Sequence, residues 1–282
     1  VPAEAAKSLV GSMKEKCGIC FTANINVVKN YFFKWCTLEE ENIIVGNFLV
    51  EKFKDEGFAS KFVEDYSEFD RGMIKTLDNI DEKDLSKVSK DELFDMLKIS
   101  NGLYIKNFDF GFIIEPMDYV MPKMIGDKLK EFGYTLQEIS DMTAIADISF
   151  LNLEEQGIIK IAKQPKEKRL DLLKKHAFKY RWIQSGHSGR KDLSVSYFEN
   201  KLEEVSSKDL DKELSKLQNT KKNIIKRRDE LLDKKPVDKE ANQLLKVMDI
   251  ISPLHDRRKE LFLRSIYTVD TIRAEIAKRY GY

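Results

Sequence analysis

Apolar positions recur at intervals of three and four through most of this chain, the spacing that lines one face of an α-helix. Phe58, Phe62, Tyr66, Phe69, Met73 and Leu77 form one such stripe, which ends at the acidic turn 78–84. Ser89-Lys-Asp-Glu92 reads as a capping box, with the hydroxyl and the carboxylate each satisfying an orphan amide, ahead of a helix through Leu93, Met96, Leu97, Leu103 and Tyr104. The aromatic run 108–122 holds Pro116 and Pro122, and a proline disfavours helical backbone at its predecessor. Breaks are therefore expected at Glu115 and Met121. An aromatic cluster beside prolines suits a helix junction in a core, or substrate recognition. A further helix from Lys123 to Phe132 should stop at Gly133, and Thr135-Leu-Gln-Glu138 opens the next with a second box.

Further along, Leu170, Leu173, Ala177 and Tyr180 form another stripe, with Leu172 and His176 on a neighbouring face. The last third carries the longest pattern. Leu210, Leu214, Leu217, Lys221, Ile224, Arg228 and Leu231 alternate by four and three. The alternation resumes after Pro236 as Leu244, Val247, Ile251, Leu254, Arg258 and Leu261. Two long helices joined there should lie antiparallel, seam to seam. Pro253 is crossed in register and should kink its helix rather than end it. Lys221, Arg228 and Arg258 interrupt the seam, either by snorkelling outward or by marking where the hairpin leaves its partner.

The N-terminal region is less legible. A short helix is expected from Ala3 to Lys16, whereas residues 19–35 and 42–50 are short apolar runs that read equally as strands or buried helix. The fold class is therefore mainly α, a multi-helix domain with a long antiparallel helical hairpin and short strands, if any, near the N-terminus. Three stretches follow: a mixed segment 1–57, a helical core 58–198, and a hairpin 199–282 packed on that core.

Composition narrows the partners. Forty-nine basic residues against 48 acidic ones give a net charge of +1 over 282 residues, which excludes non-specific wrapping of nucleic acid. The basic patches also lack the interleaved aromatics of single-strand readers. No apolar run reaches eighteen residues, so no membrane span is expected. Cys17, Cys20 and Cys36 crowd the N-terminal region, and Cys17-Gly-Ile-Cys20 precedes a strand-like run where a thioredoxin-type motif would follow one. Buried thiols are the plain reading, with a metal or redox role the alternatives. An odd cysteine count fits a reducing cytosol, and hence a cytoplasmic location. The chain opens on valine and stops as a helix finishes, as a fragment or a processed chain would.

The chemistry-bearing residues are few. His176, His187 and His255 have no carboxylate or cysteine at metal-ligand spacing, and Glu154, Glu155, Asp171 and Glu260 have no spacing that assigns paired acid–base work. His176 and Tyr180 are neighbours one helical turn apart. His255-Asp-Arg-Arg258 offers an imidazole, a carboxylate and two guanidiniums, but adjacent helical residues point in different directions and cannot all serve one pocket. The loop 184–191, Gln-Ser-Gly-His-Ser-Gly-Arg-Lys, could cradle an anion or simply connect helices, and it lacks the Walker spacing.

Ser149-Phe-Leu-Asn-Leu-Glu-Glu155, Ile158 to Ala162, His176-Ala-x-x-Tyr180-x-Trp182-Ile183, Tyr197-Phe198, Leu254-His-Asp-Arg-Arg-Lys259, the Tyr267 region and Glu275 to Arg279 together resemble uncharacterised phosphoenolpyruvate synthase-like proteins. The resemblance spans about residues 60–282. It implies a helical stretch preceding a swivelling phosphohistidine domain, in an enzyme that uses ATP and Mg when complete. It also implies a partner: that swivelling domain, or another protein. The TxGGxxSH-like loop of the phosphohistidine domain is absent, and Ser185-Gly-His-Ser-Gly does not replace it. The implied function is a helical connector, inactive alone, that positions the swivelling domain and offers a basic or aromatic wall to a nucleotide or phosphoenolpyruvate site. His176, Tyr180, Trp182, His255, Arg257 and Arg258 are the candidate ligand-binding residues, with no catalytic residue assigned and no cofactor bound by this chain itself. The alternatives are a stand-alone protein-interaction scaffold and a small-molecule enzyme with its pocket around the histidines and the segment 108–119.

Overall fold

Aspartate, serine and threonine caps set most of the helix boundaries. In the computed structural model, which describes residues 11, 13–22, 24–29 and 32–281 (side chains outside 24–37), a helical stretch at 13–17 leads to a two-stranded hairpin. Strand β1 is Asn24–Lys29 and β2 is Phe32–Thr37, paired antiparallel with Asn24 opposite Thr37. The expected helix from Ala3 lies largely outside the described residues. Of the two ambiguous runs, the first is thus strand and the second is helix.

Nine helices with described bounds follow. They are α1 Glu39–Phe53, α2 Glu56–Asp81, α3 Lys90–Glu131, α4 Leu136–Met142, α5 Phe150–Ala162, α6 Lys166–Tyr180, α7 Val195–Ser206, α8 Leu210–Lys234 and α9 Lys239–Tyr280. The fold is mainly α. Asp55, Asp209 and Asp238 cap α2, α8 and α9 by accepting backbone N–H bonds from Phe58, Lys212 and Ala241. Thr135 and Glu138 complete a reciprocal capping box on α4. At α3 only half of the expected box forms: Ser89 accepts from the Glu92 N–H, while the Glu92 side chain turns to Lys83.

The expected breaks at Glu115 and Met121 do not occur. Helix α3 runs 42 residues through Pro116 and Pro122, and α9 runs 42 residues through Pro253. Packing accounts for this. The α3 residues Ile113, Ile114 and Met117 are fully buried, and the backbone of α1 presses so closely that a Cβ on Gly46 would collide with the Pro116 carbonyl. Each buried aliphatic chain contributes on the order of 1.5–3 kcal/mol, so several of them offset the roughly 3 kcal/mol cost of an interior proline.

Helices α3 and α9 pack along each other as the central pair, with α1 and α2 against them. The first core lies here, around Phe53, Phe62, Tyr66, Phe69, Phe110, Leu129, Leu244 and Leu261. Helices α8 and α9 form the expected hairpin, turned at residues 235–238 and bridged by Arg228 Nη1 to Asp249 at 2.5 Å. Its arms do not meet seam to seam: α8 lies on α4 and α5, while α9 lies chiefly on α3. Neither Arg228 nor Arg258 snorkels outward. Both are buried and ion-paired. A second core gathers α5, α6, α7 and Tyr267 of α9, and a third joins Leu93 and Met96 of α3 to Ile272 and Ile276 of α9.

Candidate functional site

The four residues His255 to Arg258 fan around α9 into four different partners. His255 Nδ1 lies 2.9 Å from Asp118 on α3, and the Asp256 carboxylate accepts the Phe150 N–H at 3.2 Å, at the start of α5. Arg257 holds Asp70 of α2 in a two-pronged bond of 2.8 and 3.2 Å and also reaches Glu260. Arg258 pairs with Glu115 of α3. Successive helical residues diverge by about 100°, so this segment staples α9 to three neighbours rather than lining one pocket. The imidazole of His255 holds the Asp118 carboxyl below its ordinary range against the opposing effect of burial.

Asp256 and Arg257 border a cavity of about 310 Å³, whereas Arg258 lines a larger one. A cleft of about 730 Å³ opens between α3, α9, α1 and the loop 184–191. Its walls are aromatic: Phe108 and Phe112 stack at 5.8 Å, and Phe262 meets Phe108 edge-on at 5.7 Å and the His187 ring at 4.7 Å. Phe21 and Phe150 also line the cleft, while the half-exposed Tyr119 has its hydroxyl donating to Glu39 at 2.8 Å. Arg258 and Lys259 supply positive charge and Glu115 negative charge. Burial pushes the His187 imidazole below its usual range, which Glu115 opposes and Arg258 reinforces.

Gly111 makes the arginine's position feasible. A Cβ there would come within 2.8 Å of Arg258 Cδ and within 3.0 and 3.2 Å of its Nη1 and Nε. The side chain therefore lies against bare backbone, the residue only 6% exposed, and its Nε has no hydrogen-bond partner.

His176, Tyr180 and Trp182 lie elsewhere, in the second core. The His176 Nε2 sits 3.2 Å from the buried Glu154 carboxylate, whose other oxygen accepts from Lys201. Tyr180 and Phe198 pack on the imidazole at 4.7 and 5.3 Å. The bonds from His176 and Lys201 hold the Glu154 carboxyl below its ordinary range although burial acts the other way. Trp182 donates to the Lys179 carbonyl at 2.7 Å. The expected stripe shifts accordingly: Leu173, His176, Ala177 and Tyr180 face inward and Leu170 is exposed. These residues form a polar cluster, buried except for Lys201, and the structure does not bring them to the cleft.

The loop 184–191 is a tight turn with Gly186 bridged to Gly189, which has φ of +103°. Its anion is internal. Asp270 of α9 accepts the Arg190 N–H at 2.9 Å, and Arg190 Nη1 bonds Thr271 at 3.1 Å. Cys17 is buried, and burial raises its thiol to about 11, so it carries little thiolate at neutral pH. Among the described residues no group of three or more His, Cys, Asp or Glu side chains could hold a metal ion, and no helix is long and apolar enough to cross a membrane.

Sequence reading reaches Glu115 only as part of the segment 108–119 and misses Phe262 and Lys259 as cleft residues, because their convergence depends on α3 continuing through its prolines. Comparison of the chain with protein-family models, curated proteins and solved structures finds no match in any of the three.

Proposed function

We propose that this chain is the helical module of a phosphoenolpyruvate synthase-like phosphotransfer enzyme and that its α3–α9 cleft forms one wall of an anionic ligand's site. The cleft carries the proposal: a buried guanidinium and a lysine set among aromatic rings suit an anion joined to a flat or apolar body. The segments that carry the resemblance lie together in this fold. Phe150 donates to Asp256, and His176, Tyr180, Trp182, Phe198 and Tyr267 share one core, so segments scattered through the resembling sequence meet in space. Mg would belong to the rest of such an enzyme, and this chain's contribution is electrostatic and steric.

Calorimetric titration with ATP and with phosphoenolpyruvate tests the reading. Binding of either, weakened at least tenfold in Arg258→Gln, is expected. Heat from neither ligand would overturn the role of the cleft.

A second reading, an interaction scaffold, has one feature in its favour. Ile44 and Phe48 of α1 stand one turn apart with 62% and 43% of their surfaces exposed. Sedimentation of the chain and of Ile44→Glu tests it, and a monomer unchanged by the substitution would count against self-association through this face.

A further inference from the structure

We propose that Glu115 is a resident counter-ion, displaced from Arg258 by the acid group of a ligand, so that the cleft selects a ring system bearing an acid. This inference rests on the reading of the cleft as a ligand site. The pair is asymmetric. Arg258 is fixed, its side chain 8% exposed and bedded on Gly111, whereas the Glu115 side chain is 50% exposed. A buried guanidinium requires an anion beside it. A half-exposed glutamate, however, can swing its carboxylate into water at small cost, so the acid of a ligand can take its place.

The neighbouring pair on α9 behaves in the opposite way. Asp70 is 15% exposed and bound through both oxygens to Arg257, which leaves it no such exit. Arg228 does have a half-exposed partner in Asp249, but it is also tied to the Ala144 carbonyl and borders a cavity of only about 220 Å³ without an aromatic ring. Arg264 also pairs with a half-exposed carboxylate, Asp78, but does not line the cleft; at Arg258 an exchangeable carboxylate adjoins both stacked rings and the cleft. Phe108, Phe112 and Phe262 provide flat apolar surface, and the volume exceeds what a three-carbon acid would fill.

Two dyes with related ring systems separate charge from shape: anilinonaphthalene sulfonate, an anion, and phenylnaphthylamine, which is neutral. Both are titrated by fluorescence into the full chain and into Glu115→Gln, and magnetisation transfer to the His187 ring locates the dye. The glutamine keeps an oxygen for Arg258 but removes the charge. The sulfonate should bind about five- to tenfold more tightly to Glu115→Gln, the scale of one partly buried charged hydrogen bond, and the neutral dye equally to both. Glu115→Asp, which retains the charge with a shorter reach, should fall between them and covers the case of a poorly folded glutamine variant. Equal sulfonate affinity, or the same gain for both dyes, would overturn the exchange while leaving the ligand cleft standing. No dye at the His187 ring in any of the chains would overturn both.

Discussion

The guanidinium of Arg258 rests against Gly111, with Nη1 and Nε 3.0 and 3.2 Å from the point where a Cβ would stand. A single methyl group at 111 therefore pushes against a side chain that has Glu115 on one side and a packed core on the other. Gly111→Ala should lose about 1–3 kcal/mol by overpacking, despite the helical preference of alanine. Urea denaturation measures the loss, and the variant should also bind anionic ligands more weakly. An alanine variant as stable as the parent would show that Arg258 relocates freely.

A second glycine plays the same part beside His176. A Cβ on Gly157 would come within 2.6 Å of His176 Cε1 and 2.8 Å of Nδ1. Gly157→Ala should turn the imidazole away from Glu154 and leave a buried carboxylate poorly paired. A loss of about 3 kcal/mol is expected, comparable with removing one member of a buried ion pair. Thermal melting followed by Trp182 fluorescence reports it, since that ring belongs to the same core. His176→Ala should cost a similar amount, and the double variant less than the sum of the two.

Glu154 gives the fold an acid limit. Its carboxyl is held below the ordinary value of 4.5 by His176 and Lys201 in spite of burial, so the unfolded chain takes up this proton more readily than the folded one. The corresponding stability is complete above pH 4.5 and is lost as the pH falls through the depressed folded value. Glu154→Gln should be less stable at neutral pH and should lack this share of the acid dependence. Identical acid unfolding curves for the two proteins would remove the assignment.

His187 should titrate below the usual histidine range, because burial and Arg258 lower its value while Glu115 raises it. Proton NMR of the imidazole checks this, and the midpoint should fall further in Glu115→Gln. The contribution to stability has the matching sign, present above the ordinary value of 6.5 and diminishing as the pH falls. Its size is small, since the residue is exposed enough at the cleft's edge for water to screen the partly buried ring.

Periodicity made the helices legible: the stripe from Phe58 to Leu77 is the buried face of α2, and the pattern across Pro253 is one continuous helix. Local proline rules failed at Pro116 and Pro122 because burial on α1 and α9 outweighs them. Periodicity alone puts His176 off the core face for a related reason. A histidine carries no apolar signal, and the partners that admit it, Glu154 and Gly157, lie on another helix about twenty residues earlier. The cleft was legible only in pieces, through the aromatic run and Arg258. Its assembly is a tertiary event that brings residues 108–119 against 258–263.

Helix α9 contributes Leu244 to Leu261 to the first core, Tyr267 to the second, and Ile272 with Ile276 to the third. Three hydrophobic centres strung on one rod of roughly 63 Å cannot open independently, because unwinding the rod at any point frays the centres on either side. The chain should accordingly lose its structure in a single cooperative transition, and amide protons buried along α9 should exchange with solvent only at the rate of global opening.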